Sequence, residues 1–135
     1  LEARGSERSG AGLSLLDLGT GTGNMLELVA DAFPGSELSG LDLSGAYLKR
    51  AKRRLGGRAT RWHAAPAEAI PLPDGSVDLI TAVYLFHELP PKVRAAVLSE
   101  VARVLKPGGR FVLVDALQTG DIPPLDPVIA SFPNQ

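Results

Sequence analysis

Leu13-Ser-Leu-Leu-Asp17-Leu-Gly19-Thr-Gly21-Thr-Gly23-Asn24 is the stretch that decides how this chain folds. Its first six residues form a short apolar run, which reads as a buried strand, and the glycine cluster behind it forces a tight turn. Three alternate glycines bend the backbone sharply and let a ligand reach main-chain atoms without Cβ interference. The turn opens into a helix from about Thr22, with Met25, Leu28, Val29 and Ala32 on one face and Pro34-Gly35 as its stop. The first amides of such a helix have no partners within it, which makes a favourable seat for a carboxylate or phosphate.

Moving outward, residues 37–43 read as a second strand that carries Asp42 near its end, 21 positions beyond Gly21. A carboxylate there can accept both ribose hydroxyls of a nucleoside. Taken singly, the loop fits an ordinary tight turn and Asp42 an ordinary surface residue; together, after successive strands, they point to a nucleoside site. Ser44 suits the N-cap of a helix through Tyr47, Leu48, Ala51 and Leu55, which Gly56-Gly57 closes. Residues 59–63 give a third strand. A loop with Pro66, Pro71 and Pro73 follows, and 77–84 is a fourth strand. Residues 92–106 form an amphipathic helix with Val93, Val97, Val101 and Val104 inward and Lys92, Ser99, Arg103 and Lys106 outward. Pro107-Gly108-Gly109 ends it, and 110–115 is the fifth strand. Strands alternating with helices at this spacing predict an α/β domain, a doubly wound parallel sheet with right-handed crossovers. Ligands in such sheets bind beyond the carboxyl ends of the strands, so the search narrows to 18–24, 42–44, 63–68 and 83–88.

The loop departs from the dinucleotide fingerprint Gly-x-Gly-x-x-Gly, because its sixth position is Asn24. That argues against a nicotinamide-dependent oxidoreductase. The spacing is Gly-x-Gly-x-Gly, with Asp17 two residues earlier, and here the chain resembles the class I S-adenosylmethionine-dependent methyltransferases. Four further segments fit the resemblance in order. These are Gly40-Leu-Asp42-Leu-Ser44, the stretch from Ala65-Pro66-Ala67-Glu68 to Asp78, residues 83–89, and Leu105-Lys-Pro-Gly-Gly109. The likeness covers about residues 13–115 and is nearest to small-molecule enzymes such as the ubiquinone/menaquinone C-methyltransferases.

The resemblance implies a Rossmann-like sheet in the order 3-2-1-4-5 and S-adenosyl-L-methionine as cofactor. It implies that Asp17, Gly19, Gly21 and Thr22 hold the methionine end, and that Asp42 takes the ribose hydroxyls. Leu43 would pack on the adenine, Ala67 would offer it a backbone amide, and Val83 would present main-chain groups near the methionine amine. Pro66 stands where the family often has Asp or Asn, so recognition of the adenine amino group must rest on Ala67, packing or Glu68. The implied activity is direct methyl transfer to a small-molecule acceptor. The alternative is a cofactor-binding fragment or inactive relative without turnover.

Tyr84, Phe86, His87 and Glu88 follow the fourth strand, where the methyl group should point. His87 is the candidate base, its pKa naturally near neutrality; the competing reading packs it on the loop with backbone hydrogen bonds. Glu88 reads as a solvated or helix-end carboxylate that could orient His87, and Asp115 either meets substrate or caps a loop. His63 and Trp62 read as packing residues. His87-Glu-Leu-Pro-Pro91 lacks the second histidine of a helical zinc motif, so no metal site is expected. Arg50, Lys52, Arg53 and Arg54 read as a solvated basic face.

The chain has 135 residues, a net charge of −1 and no Cys, which excludes disulfides and cysteine nucleophiles. No broad positive field exists to collect nucleic acid, and no apolar stretch is long enough for membrane insertion. No secretion-type segment is recognisable, so a cytoplasmic protein is expected. Residues 1–12 read as a flexible leader or the scar of a cut, 13–115 as the cofactor-binding domain, and 116–135 as a proline-rich tail. That tail is too short and proline-rich for the carboxyl-terminal hairpin of the family, which leaves the fifth strand on an edge. A homodimer contact, the tail, or a missing segment is expected to cover it.

Overall fold

The computed structural model describes residues 10–116. The elements run β1 (Ser14–Leu18), α1 (Asn24–Ala32), β2 (Glu37–Asp42), α2 (Gly45–Leu55), β3 (Thr60–Ala64), β4 (Val77–Val83), α3 (Pro91–Val104) and β5 (Leu105–Val114). All strand pairings are parallel, and the five strands lie in the order β3-β2-β1-β4-β5. This is the Rossmann-like, doubly wound sheet that the alternation and the resemblance lead one to expect. The leader expected over 1–12 and the tail expected over 116–135 lie, but for residues 10–12 and 116, outside the described residues.

Successive side chains of a strand face opposite sides of the sheet, so β1 alone feeds both cores. Leu15 joins Leu26, Val29, Ala30, Leu38 and Leu55 under α1 and α2. Leu16 and Leu18 join Leu41, Ile80, Ala82, Val97, Val101 and Val104 under α3. The near-continuous burial of β1 follows from having helices on both faces. At the amino edge, Asp78 accepts from the Ser14 amide at 2.8 Å and pairs with Lys106 at 3.0 Å, tying β1, β4 and the start of β5 together. The Ser14 amide is the main cause of a carboxyl held below its ordinary range.

Three expectations are corrected. The buried face of α1 is Leu26, Val29 and Ala30, whereas Leu28 is 63 % exposed and Ala32 also faces solvent. Tyr47 turns out from α2 while Leu48, Ala51 and Leu55 turn in. Arg103 does not simply face water: it donates to the carbonyls of Ile70 and Leu72, to Asp74 and to Glu100. Glu100 in turn accepts the Ile70 amide at 2.9 Å. The Arg103 hydrogen bonds hold the Glu100 carboxyl below its ordinary range. This clamp fixes the proline-rich loop between β3 and β4, so Arg103→Met should free it. Amide exchange at Ile70 would then accelerate and proteases would cut between 65 and 76, while an Arg103→Met chain with unchanged exchange there would contradict the clamp.

Candidate active site

The segments that bound the candidate site leave the carboxyl ends of β1, β2, β3 and β4. Gly19 and Gly21, Asp42 and Leu43, Ala65, Ala67 and Glu68, and Tyr84, Leu85, Glu88 and Leu89 border a cleft there of about 410 Å³. Another hollow, lined by Leu13, Leu15, Phe33 and Leu79, lies at the amino ends of the strands, away from the glycine loop.

The glycine loop is held from both sides. Asp42 accepts the Gly21 amide on Oδ2 at 2.9 Å and the Ser44 amide on Oδ1 at 2.8 Å, so one carboxylate joins the loop to the start of α2. The Thr20 amide donates to the Leu41 carbonyl, and Arg54 donates its Nε–H to the Thr22 carbonyl at 3.0 Å. Arg54 also pairs with Glu27 of α1 at 3.2 Å. It is thus more than part of a solvated basic face, and its partners lie too far along the chain for spacing to reveal them. The positive φ of Gly21 (55°) and Gly23 (86°) is the conformation that glycine adopts without a Cβ penalty. A Cβ on Gly21 would meet only the Gly19 carbonyl oxygen, 4.0 Å away, so the loop stays open toward the cleft there. Gly23 caps α1 without a side-chain hydrogen bond, which leaves the first-turn amides directed to the loop. Ser44 caps α2 as the sequence suggests, its Oγ accepting the Tyr47 amide at 3.2 Å.

Beneath the loop lies Asp17, 2 % exposed, with Oδ1 accepting the Thr81 hydroxyl at 2.7 Å. Burial pushes its carboxyl up to about 6; the Thr81 and Thr20 hydroxyls act the other way, and the charge of Asp42 adds to the rise.

Gly19, Gly21, Asp42, Leu43 and Ala67 line the cleft, with Leu43 74 % exposed at its rim. Asp17 is buried, and Asp17, Thr22, Val83 and His87 are not part of the lining. Leu85 and Leu89, within the expected segment 83–89, border the cleft as well, as does Tyr47, which was not singled out for it by the sequence. Exposed Leu43, Tyr47 and Tyr84 together form an apolar rim, a common mark of a surface that closes on a ligand. Tyr84 has φ 53°, rare for an aromatic residue, and its amide donates to Val114. That strained turn swings the chain out of β4 and places Glu88 on the cleft and Phe86 in the core against Phe111. His63 and Trp62 belong to β3; burial, with the charge of Arg61, holds His63 below the ordinary imidazole range. Among the described residues no helix is long and apolar enough to cross a membrane.

A family described as "Methyltransferase domain" matches residues 15–109. The ubiquinone/menaquinone biosynthesis C-methyltransferase UbiE of Desulfotalea psychrophila is 37 % identical over 123 residues, 91 % of this chain and 47 % of the relative. The chain therefore spans about half the length of that curated relative. Among solved structures, the YcgJ protein of Bacillus subtilis superposes with a TM-score of 0.74 at 32 % identity, over 91 % of this chain and 52 % of that one. Geranyl diphosphate C-methyltransferase of Streptomyces coelicolor, solved with S-adenosyl-L-homocysteine, gives 0.70 at 25 % identity over 78 % of this chain and 38 % of its own.

Proposed function

Because the chain belongs to the class I S-adenosylmethionine-dependent methyltransferase family, we propose that the cleft at the carboxyl edge of its sheet binds S-adenosylmethionine and serves methyl transfer to a small-molecule acceptor. The observation that carries this reading is the position of Asp42, which both pins Gly21 and faces the cleft. Each of its oxygens accepts one amide, and an ionised carboxylate has about four acceptor positions in all, so capacity remains for the two hydroxyls of a ribose. A volume of about 410 Å³ lies in the range of small-molecule sites.

In this arrangement Gly19, Gly21 and Thr22 line up main-chain groups for the amino-acid end, with Asp17 as the negative charge below them. Leu43 and Tyr47 cover one face of the base, and Ala67 lies against its edge with Glu68 beside it. Val83 offers main-chain groups at the end of β4. When bound, S-adenosylmethionine supplies an electrophilic methyl carbon on a positively charged sulfur. The contribution of the protein is alignment of the acceptor and exclusion of water at the Tyr84–Leu89 side of the cleft. The activities of the relatives, which include C-methylation in ubiquinone and menaquinone biosynthesis and of geranyl diphosphate, support a small organic acceptor.

Calorimetry with S-adenosylmethionine and S-adenosylhomocysteine tests the reading. Asp42→Ala should weaken both by roughly 1.5–3 kcal/mol, about 10- to 160-fold, the loss typical of a charged hydrogen-bond acceptor. Equal affinity of the two chains would sink the ribose assignment.

A further inference from the structure

We propose that the outer face of α2 docks this domain on an anionic lipid bilayer, with Leu43 and Tyr47 entering the head-group layer beside the mouth of the cleft. A net charge of −1 leads one to expect no broad positive field, but that figure averages a very uneven distribution. Residues 43–67 hold seven of the chain's 14 Lys and Arg, and all 15 Asp and Glu lie outside that stretch. Two of the seven are neutralised by α1, where Arg54 pairs with Glu27 and Arg58 with Asp31. Arg61 lines a separate hollow with Glu37 and Ser39. That leaves Lys49, Arg50, Lys52 and Arg53, all exposed on α2 and, among the described residues, without an ion pair or a side-chain hydrogen bond.

Leu48, Ala51 and Leu55 form the buried side of α2, so the four cations face away from the core. The partial negative charge at the carboxyl end of a helix accounts for cations in its last turn, where Lys52, Arg53 and Arg54 stand. It does not account for Lys49 and Arg50, a turn earlier. Lys49–Arg53 and Arg50–Arg54 are like-charged pairs four positions apart, an arrangement that lowers helix stability. An anionic surface laid against the helix relieves that repulsion. The same helix begins beside exposed apolar side chains: Leu43, just ahead of the Ser44 cap, is 74 % exposed and Tyr47 49 %. Both border the cleft, as does Tyr84. Apolar and aromatic side chains next to a basic helical face make an interfacial helix, in which the ring or aliphatic chain enters the head-group region and the cations stay on the phosphates.

Charge complementarity selects a bilayer over a nucleic acid. The acids that bracket the basic stretch, Asp42 and Glu68, line the cleft together with Glu88, and the lining contains no Lys, Arg or His. The cations thus lie outside, the carboxylates inside, and the apolar rim between them. A nucleic acid drawn along α2 to the cleft would bring its phosphates against those carboxylates, and an exposed leucine offers its backbone nothing. A bilayer keeps its anionic groups in one plane outside the cleft and gives Leu43 and Tyr47 an apolar layer to enter. Four cations and two apolar side chains make a reversible, salt-sensitive attachment, not a permanent anchor.

Sedimentation of the 135-residue chain with vesicles tests the docking without any donor, and so apart from the donor-site reading. The chain should sediment at low salt with phosphatidylcholine vesicles containing about 30 % phosphatidylglycerol and stay in solution with pure phosphatidylcholine. It should leave the anionic vesicles near about 0.5 M salt. Neutralising one cation, as in Lys49→Gln or Arg53→Gln, should lower the partition coefficient about fivefold. Lys49→Gln, Arg50→Gln, Lys52→Gln and Arg53→Gln combined should lower it on the order of 10²- to 10³-fold, with the urea midpoint of the parent retained. Acetylation of the parent chain gives a reading that needs no variant: anionic vesicles should protect Lys49 and Lys52 and leave Lys92, exposed on α3, reactive. No sedimentation with anionic vesicles, equal sedimentation of the combined variant, or protection of Lys92 in place of Lys49 and Lys52 overturns the proposal. Release by inorganic phosphate beyond that by chloride of equal ionic strength would mark a site for the free ion and overturn it as well. Tighter binding to single-stranded poly(U) than to the anionic vesicles would do the same in favour of a nucleic acid.

Discussion

Gly23→Val should cost about 2–5 kcal/mol of folding stability, a large share of the roughly 5–15 kcal/mol a domain of this kind possesses. Two effects contribute. Gly23 caps α1 with φ 86° and ψ 13°, and a residue with a Cβ is disfavoured there by about 1–2 kcal/mol. The Cβ would also lie 3.1 Å from Ala51 Cβ, 3.1 Å from Leu55 Cδ2 and 3.2 Å from Ala51 Cα, where α2 crosses the start of α1. Ala51 is fully buried and Leu55 nearly so, and neither can withdraw without moving α2; overpacking of this kind costs typically about 1–3 kcal/mol. A double-mutant cycle separates the two effects. Gly23→Ala with Ala51→Gly should recover part of the steric loss, beyond the sum of the single changes, and none of the backbone loss. Urea unfolding midpoints read both numbers, and strict additivity would show that the helix crossing is not what keeps position 23 bare. Since Gly23 ends the loop that Asp42 pins, the same substitution should reduce donor affinity even in the fraction that remains folded.

That crossing shows where the sequence is readable and where it stops. The glycine loop, Asp42 and the Ser44 cap are local patterns whose geometry follows from a few adjacent residues, and each lies where spacing places it. The face of α1 was not readable in this way. Met25, Leu26, Leu28, Val29, Ala30 and Ala32 put apolar side chains around most of a helix nine residues long. Only the packing of that helix on β1 and β2 selects Leu26 over Leu28. β5 begins at Leu105, earlier than expected, because Pro107-Gly108-Gly109 reads as a break but forms an irregularity within the strand. Gly108 has φ 78°, and the register against β4 shifts between Val77 and Leu79. Arg54 carries no local signal and Arg103 only its helical neighbour Glu100, since the partners that give them their roles lie roughly 30 positions away and only the fold brings them together. Asp115 is of the same kind: its link to His87 spans 28 positions and depends on β4 and β5 ending side by side.

Asp17→Asn should change the pH dependence of stability by about 3 kcal/mol between acid and neutral solution. The carboxyl titrates near 6 in the folded chain, against an ordinary value of 3.8, and a shift of about two units corresponds to roughly 3 kcal/mol. The sign follows from proton counts. Between about pH 4 and 6 the folded chain holds a proton on Asp17 that the unfolded chain has released, so this group makes stability fall as pH rises. Its contribution is fully present below the unfolded value and lost above about 6. The amide introduced by Asp17→Asn keeps an oxygen for the Thr81 hydroxyl and has no charge to desolvate, so the stability of that variant lacks the decline. Asp78, Glu100 and Asp115, whose carboxyls are held low, act with the opposite sign, but they are common to both chains and cancel in the difference. Urea unfolding of both chains at pH 4 and pH 7 reads the effect, and two curves that stay parallel would show that Asp17 is not held neutral by its burial. A cationic ligand above Asp17 should reverse the preference, because its charge favours the ionised carboxyl. Affinity for S-adenosylmethionine should therefore rise with pH through about 6 in the parent chain and remain flat in Asp17→Asn. A buried acid that weakens the empty domain at neutral pH would then be the charge that holds its donor.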